Sequence, residues 1–240
     1  SAAKAQGLMT LAGVNTFYGK SHILHDAGFD VRAGEIVALL GRNGAGKSTT
    51  LRSIIGLVAD RSGGIEFQGE DISKLRTHEI VRRGLGWVPE DRRIFTELTV
   101  LENLEVGRQP PRAGAPTWTT DKLFALFPNL AEMRQRLGDR MSGGEQQMLT
   151  IARTLMGNPA LVLLDEPSEG LAPKIVEQMA AAILAMKREG LALVISEQNL
   201  RFARLISDRA VIIEKGRVRY AGTMAELAAN PEIRDAYLAV

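Results

Sequence analysis

Gly41-Arg42-Asn43-Gly44-Ala45-Gly46-Lys47-Ser48-Thr49 directly follows the apolar run Glu35-Ile36-Val37-Ala38-Leu39-Leu40. The order predicts a strand feeding a glycine-rich loop, with a lysine and two hydroxyls where a helix begins. In such a loop successive backbone N–H groups point into one concavity. The helix N-terminus adds unpaired donors and its positive dipole end. Gly41, Gly44 and Gly46 let the backbone curl around an oxyanion without Cβ contacts. Lys47 is placed to reach β- and γ-phosphates, and the Ser48 hydroxyl to ligate Mg²⁺. A chance match to this pattern is expected in about 1% of chains of this length. Leu51, Ile54, Ile55 and Leu57 follow at a spacing suited to the buried face of a helix. The stretch therefore predicts a nucleoside triphosphate site.

With 240 residues the chain can bury one large α/β core or two small ones. Charged residues make up 24% and hydrophobic ones 45%, and the formal net charge is +2. A charge that small argues against nucleic acid as the main partner. The sequence holds no cysteine, which excludes disulfides, thiol catalysis and cysteine-based zinc sites within it. His22, His25 and His78 are not spaced as a metal site and read as polar surface positions. No stretch approaches the ~18 consecutive apolar residues of a membrane span. Residues 1–7 lack a signal-peptide core and read as a disordered tail, so a cytoplasmic protein is expected, with any membrane association through a partner.

Outward from the loop, short β-rich apolar runs recur at Ile36–Leu40, Leu161–Leu164, Leu191–Ile195 and Val211–Ile213. Separated by helical patterns, they predict an α/β fold with a mainly parallel sheet covered by helices. Leu8–Asn15 and Gly28–Arg32 alternate more and predict an antiparallel edge near the N-terminus, and Ile65–Ile72 reads as a strand and turn. From about residue 90 to 157 the pattern turns helical, at Val100–Val106, Thr120–Leu126 and Glu145–Met156. A Pro/Gly-rich interruption falls at Gln109–Pro116. This stretch reads as a helical subdomain inserted in a single nucleotide-binding domain over residues 8–240.

Two further constellations carry chemistry. Leu161-Val162-Leu163-Leu164 ends in Asp165-Glu166, and ligands of open α/β sheets bind beyond the C-terminal strand ends. Adjacent strand residues point in opposite directions, which predicts different jobs for the two acids. Asp165 is assigned to Mg²⁺ and Glu166 to polarising an attacking water; the bland alternative is a solvated acidic turn. Ser142 with Glu145 three residues on is a capping box, followed by a helix that stops at Gly157-Asn158-Pro159. As structure alone that is a helix start. With Gly143 and Gly144 at its terminus it becomes a second anion receptor, one that a second chain's phosphate can fill.

Gly41–Thr49, Ser142–Gln146 and Leu161–Glu166 in this order closely resemble the ATPase subunits of ATP-binding-cassette (ABC) transporters, over essentially the whole chain from Leu8 to Val240. The resemblance implies a P-loop NTPase core, ATP hydrolysis, ATP and Mg²⁺ as ligands, and work as a pair of cassettes. The stretches Val88–Phe95, Leu98–Leu104, Pro167–Pro173 and Ser196–Asn199 are similar to one subgroup, the ATPases of bacterial branched-chain amino-acid importers. Importers of urea or amides are the near alternative. A soluble cassette ATPase acting on nucleic acid or ribosomes is the distant one, and a small-molecule kinase on the same loop leaves Ser142–Gln146 without a role.

The resemblance also assigns residues. Tyr18 matches an aromatic that stacks on adenine, worth ~1–3 kcal/mol; the alternative is a half-buried strand-edge tyrosine. Gly41 to Thr49, including Arg42, Asn43 and Ala45, matches the phosphate cradle. Ser142, Gly143, Gly144 and Gln146 match residues that contact ATP held by the other subunit, and Ser168–Leu171 a loop that meets its counterpart across the pair. Two positions depart from the general pattern, with Glu90 for a glutamine and Gln198 for a histidine. Glu90 suits Mg²⁺ or water but cannot donate when ionised. Gln198 donates and accepts but carries no proton as imidazole does, which puts base catalysis on Glu166. Lys47, Glu166 and Gln198 are thus the expected catalytic set and Ser48, Glu90 and Asp165 the expected metal set; Gln198 packing at the seam between subunits is the alternative. The expected partners are a second ATPase subunit, identical or not, membrane permeases on the inner membrane face and, indirectly, a periplasmic binding protein. Ile94, Phe95 and Leu98 are either a groove for a permease helix or internal core.

Overall fold

The computed structural model describes residues 7–238. The tail expected at residues 1–7 lies, apart from Gly7, outside the described residues.

Two sheets share the molecule. The larger has six strands in the order β10-β9-β3-β8-β7-β6. Its centre is β3 (Ile36–Leu40), flanked by β8 (Ala192–Glu197) and β9 (Arg209–Glu214); beyond β8 follow β7 (Leu161–Asp165) and β6 (Leu85–Val88). These five run parallel, and β3, β7 and β8 are buried on both faces, which explains their unbroken apolar runs. β10 (Arg217–Thr223) closes the far edge antiparallel to β9.

The antiparallel strands expected near the N-terminus form, but not as an edge of this sheet. β1 (Met9–Tyr18) and β2 (Ser21–Val31) join β4 (Arg61–Phe67) and β5 (Glu70–Asp71) in a separate four-stranded sheet of order β2-β1-β4-β5. Both ladder edges of β1 are filled, by β2 and β4, so it has no free edge to offer the parallel sheet. The two sheets meet face on. Met9, Leu11, Leu24 and Phe67 pack in one core with Val37, Leu39 and Leu163, and Leu51 and Ile54 of α1 (Lys47–Ile54) belong to it with the C-cap Ile55. Leu57, expected on the same buried face, lies beyond the helix and is exposed. After α2 (Thr77–Arg82) and β6, the chain makes no strand among the described residues until β7.

That interval holds α3 (Val100–Gly107), α4 (Thr120–Leu126), α5 (Pro128–Glu132) and α6 (Gly143–Leu155). The helix expected after the Ser142–Glu145 capping box forms with Ser142 as its cap: Ser142 Oγ accepts from Glu145 N, while Glu145 Oε2 accepts from Ser142 N at 2.8 Å. Residues 109–116 are irregular. They are tied down by buried Asn158, whose amide donates to Gln109 O and whose Oδ1 accepts from Trp118 N. α3 to α6 share a core with α7 (Pro173–Arg188) and α8 (Leu200–Ile206). The chain ends in α9 (Met224–Ala228) and α10 (Pro231–Tyr237).

Candidate functional site: a phosphate loop facing two carboxylates

The C-terminal ends of β3, β7 and β8 converge on the loop 41–46. Gly44 (φ 76°) and Gly46 (φ 113°) occupy the left-handed region, whereas Gly41 is glycine for another reason: a Cβ there would stand 2.4 Å from Ile213 O. α1 begins at Lys47 with no side chain capping it, so its first N–H groups stay available to an oxyanion. Lys47 is 4% exposed. Its ammonium donates to Gly41 O (2.8 Å) and Arg42 O (3.1 Å) and stands 3.3 Å from Glu166 Oε1.

Asp165 ends β7 fully buried, and its Oδ1 accepts from Ser48 Oγ at 3.0 Å and from Ser196 Oγ at 2.6 Å. Burial pushes its carboxyl above the usual range; the two hydroxyl donors act against that and the charge of Glu166 adds to it. Glu166 leaves the strand in a left-handed conformation, φ 44°. Its N–H is held by Ser196 Oγ (2.9 Å) and Ser196 O (3.2 Å), and its Oε2 accepts from Gln198 Nε2 at 3.1 Å. The strand alternation invoked for these two acids therefore does not apply, because the strand ends between them. Both face the same loop, one on Ser48 and the other on Lys47.

These groups border a cavity of about 430 Å³ lined by Tyr18, Ile23, Asn43, Gly44, Gly46, Lys47, Ser48, Thr49, Glu90, Glu166, Glu169 and Gln198. Tyr18, the last residue of β1 and 44% exposed, is part of that lining. Gly41 and Arg42 contribute carbonyls to Lys47, and Ala45 is buried beneath. Glu90 is exposed, with its carboxyl raised chiefly by desolvation and then by the charges of Glu166, Asp165 and Glu169.

Ser142, Gly143, Gly144 and Gln146 do not line this cavity. Ser142 is exposed. Gln146 does not present its amide outward: Nε2 donates to Gly138 O and Met141 O, both at 3.3 Å. These bonds turn its side chain back under the terminus of α6, where Ser142 is exposed and Gly143 and Gly144 are half-buried. Of the proposed docking residues, Phe95 is 49% exposed, Ile94 packs against the helical core and Leu98 is half-buried.

Sequence reasoning passed over Ser196 and Glu197. Ser196 joins Asp165 to Glu166, and its partner position is set by the parallel register Asp165↔Ser196. Glu197 is 3% exposed, raised by burial, and accepts from Ser168 N and Asn199 N, which ties the loop after β7 to the turn carrying Gln198.

The ABC transporter family profile matches residues 24–169. The chain is 45% identical over 231 residues, covering 96% of it and 99% of the relative, to the high-affinity branched-chain amino acid transport ATP-binding protein BraG of Pseudomonas aeruginosa. It is 34% identical over 233 residues, covering 96% and 97%, to the lipopolysaccharide export system ATP-binding protein LptB of Haemophilus influenzae. A nucleotide-free ATP-binding cassette from an ABC transporter superposes with TM-score 0.80 at 23% identity, over 95% of this chain and 97% of the other, a likeness of fold. The profile, the relatives and the loop–carboxylate geometry agree: the chain belongs to the ABC transporter family as one of its ATP-hydrolysing subunits.

Proposed function

We propose that this subunit powers a bacterial importer of branched-chain amino acids, working in a pair of cassettes beneath membrane permeases. The identity to BraG carries the substrate class, since it exceeds that to the lipopolysaccharide exporter by 45% against 34% at equal coverage of the chain. No described helix is long and apolar enough to cross a membrane, so membrane attachment is assigned to the permeases, with Phe95 on the docking face and a periplasmic binding protein delivering cargo.

As an ABC ATPase the chain binds ATP and ADP. In the proposed mechanism Tyr18 stacks on the adenine and the bare N–H groups at the start of α1 take the phosphates. Lys47 exchanges Glu166 for the triphosphate. Glu166, steadied through its own N–H by Ser196 and through Oε2 by Gln198, orients the attacking water in line. Ser142, Gly143 and Gly144 of the second cassette close over the phosphate and exclude other water.

The donor chemistry fits Mg²⁺. Ser48 Oγ and Asp165 Oδ1 are hard oxygens 3.0 Å apart, with Glu90 across the same cavity. Among the described residues no group of three or more His, Asp or Glu could hold an ion alone. That partial set suits a cation that keeps waters and phosphate oxygens. Ser48, Asp165 and Glu90 would hold it, and when bound it neutralises charge on the phosphate oxygens.

Glu166→Gln tests the mechanism: nucleotide affinity should persist while turnover falls by about 10² or more. Full turnover in that variant removes Glu166 from its role. Cargo is tested by reconstituting the chain with its genomic neighbours in vesicles. Leucine-loaded binding protein should accelerate hydrolysis; acceleration by urea or an amide instead would reassign the substrate.

A further inference from the structure

A second cavity adjoins the nucleotide site and has no part in the mechanism above. It measures about 230 Å³ and is lined by Glu90, Arg92, Gln147, Glu166, Glu169 and Gly170. Two of these groups lack partners. Gln147, on α6, is 3% exposed, and its Oε1 is buried without a donor. Buried amide oxygens are nearly always bonded, so this one marks a missing contact. Arg92 is half-buried and, among the described residues, takes no ion pair or hydrogen bond.

The place of Arg92 is itself unusual. Its guanidinium lies against Gly143 so closely that a Cβ there would stand 2.2 Å from one of its nitrogens. It therefore rests over the first turn of α6, where the helix dipole repels a cation. The acid of that turn, Glu145, is engaged by its capping box, its Oε2 accepting from Ser142 N. What the cavity does offer is three carboxylates and one bare amide oxygen, matched to a guanidinium with five donors in a rigid fork.

Nucleotide binding changes the charge around Glu166. In the structure Lys47 is the cation facing that carboxylate, at 3.3 Å. Once Lys47 turns to the phosphates, Glu166 keeps only the amide of Gln198 as a side-chain donor, with Glu90, Asp165 and Glu169 nearby. An acid in that company swings away from its neighbours unless another cation holds it.

We propose that Arg92 is a positioning residue for hydrolysis: with nucleotide bound, its guanidinium donates to Gln147 Oε1 and to Glu166, holding that carboxylate toward the water after Lys47 has left. The proposal rests on Glu166 orienting the water, as argued above. It also joins the two half-sites. Glu166 serves the nucleotide held by its own chain, while α6 presents Ser142 and Gly143 to the partner's, and Arg92 lies between them.

The test uses the full chain and follows ATP hydrolysis, nucleotide affinity and urea midpoint for Arg92→Ala, Arg92→Lys, Gln147→Leu, Glu169→Gln, the double variants with Arg92→Ala, and Glu166→Gln. Arg92→Ala should lower kcat about 10- to 100-fold with KM and nucleotide affinity within about twofold. Lysine, lacking the fork, should restore only part of the loss. Adding Gln147→Leu to Arg92→Ala should cost no further activity, since the two share one contact. The proposal fails if Arg92→Ala keeps kcat within about twofold of the parent. It fails equally if nucleotide affinity falls and KM rises in step with the loss of kcat, if the two losses multiply, or if Arg92→Ala has no effect once Glu169→Gln is present. Full turnover in Glu166→Gln overturns the reading beneath it instead; a dead Glu166→Gln beside a fully active Arg92→Ala sinks the arginine alone.

Discussion

Replacing Ser196 by alanine deletes one oxygen that joins the two acids of the site. That hydroxyl is fully buried, donates to Asp165 Oδ1 at 2.6 Å and accepts from Glu166 N at 2.9 Å. A hydrogen bond to a charged group contributes about 1.5–3 kcal/mol and a neutral one about 0.5–1.5 kcal/mol. Neither partner is wholly orphaned by the change: Asp165 keeps Ser48, and Glu166 N–H keeps Ser196 O at 3.2 Å. The expected loss of stability is therefore about 2–3 kcal/mol, toward the low end of the sum. Activity should fall further than stability suggests. Glu166 sits at φ 44°, a conformation that costs a non-glycine residue about 1–2 kcal/mol and persists here because Ser196 holds its N–H. Released, the residue relaxes and its carboxylate moves, and a displacement of about 1 Å can cost ~10² in rate. Urea unfolding and steady-state ATP hydrolysis read the two effects. Ser207→Ala is the control, since it deletes the same atom from a serine whose buried Oγ has no partner among the described residues. It should be neutral or slightly stabilising. The reasoning is refuted if Ser196→Ala unfolds within about 0.5 kcal/mol of the parent with full kcat, or if Ser207→Ala costs as much.

Other changes probe different parts of the molecule. Asn103 is fully buried and its side chain fixes the turn behind Phe95, accepting from Phe95 N and donating to the carbonyls of Phe95, Leu98 and Thr99. Asn103→Ala should cost about 2–4 kcal/mol in urea unfolding and abolish stimulation by permeases while leaving nucleotide affinity intact; unchanged stimulation would separate that turn from docking. Gly41→Ala drives a Cβ to 2.4 Å from Ile213 O, so the loop must shift, and nucleotide affinity measured by titration should fall at least about tenfold. Glu197 has its folded pKa raised, chiefly by burial, so ionisation is harder in the fold than in the unfolded chain. Its contribution to stability is present at pH below the unfolded value and lost as pH rises through the folded one. Between about pH 4 and 7 the Glu197→Gln variant should lose less unfolding free energy than the parent, and parallel profiles would contradict this.

What the sequence disclosed follows the range of each interaction. The loop 41–49 was legible because its chemistry is local: glycines, lysine and hydroxyls act from consecutive positions on one turn. The capping box of Ser142 and Glu145 was legible for the same reason, whereas the bonds from Gln146 Nε2 to Gly138 O and Met141 O depend on how the preceding turn folds back. Strands β3 and β7 could be read from unbroken apolar runs, whereas the partner of β1 could not, since alternation fixes which face is buried and not which strand lies alongside. Ser196 was hidden because its contact with Asp165 arises from strand register across 31 residues. Arg92 was hidden too, because nothing in Pro89-Glu90-Asp91-Arg92 tells that its guanidinium crosses to Gly143. Asp165 and Glu166 lie between these cases. The pair was visible, but the division of labour by alternation fails where the backbone leaves the strand at φ 44°.

Charge then explains why such a site should wait for its partners. Among the residues lining the nucleotide cavity, Lys47 stands alone against Glu90, Glu166 and Glu169, and it already faces Glu166. A triphosphate brings further negative charge into the same space and takes Lys47 for itself. Carboxylates a few ångströms from phosphate oxygens repel them by several kcal/mol where water is scarce. In the proposed mechanism a divalent cation and the dipole of a second cassette's capped helix offset that charge for hydrolysis, while Arg92 takes up the Glu166 carboxylate that Lys47 gives up. A lone chain at this geometry can hold nucleotide, but the carboxylate proposed to face the water is still paired to the lysine proposed to face the phosphate.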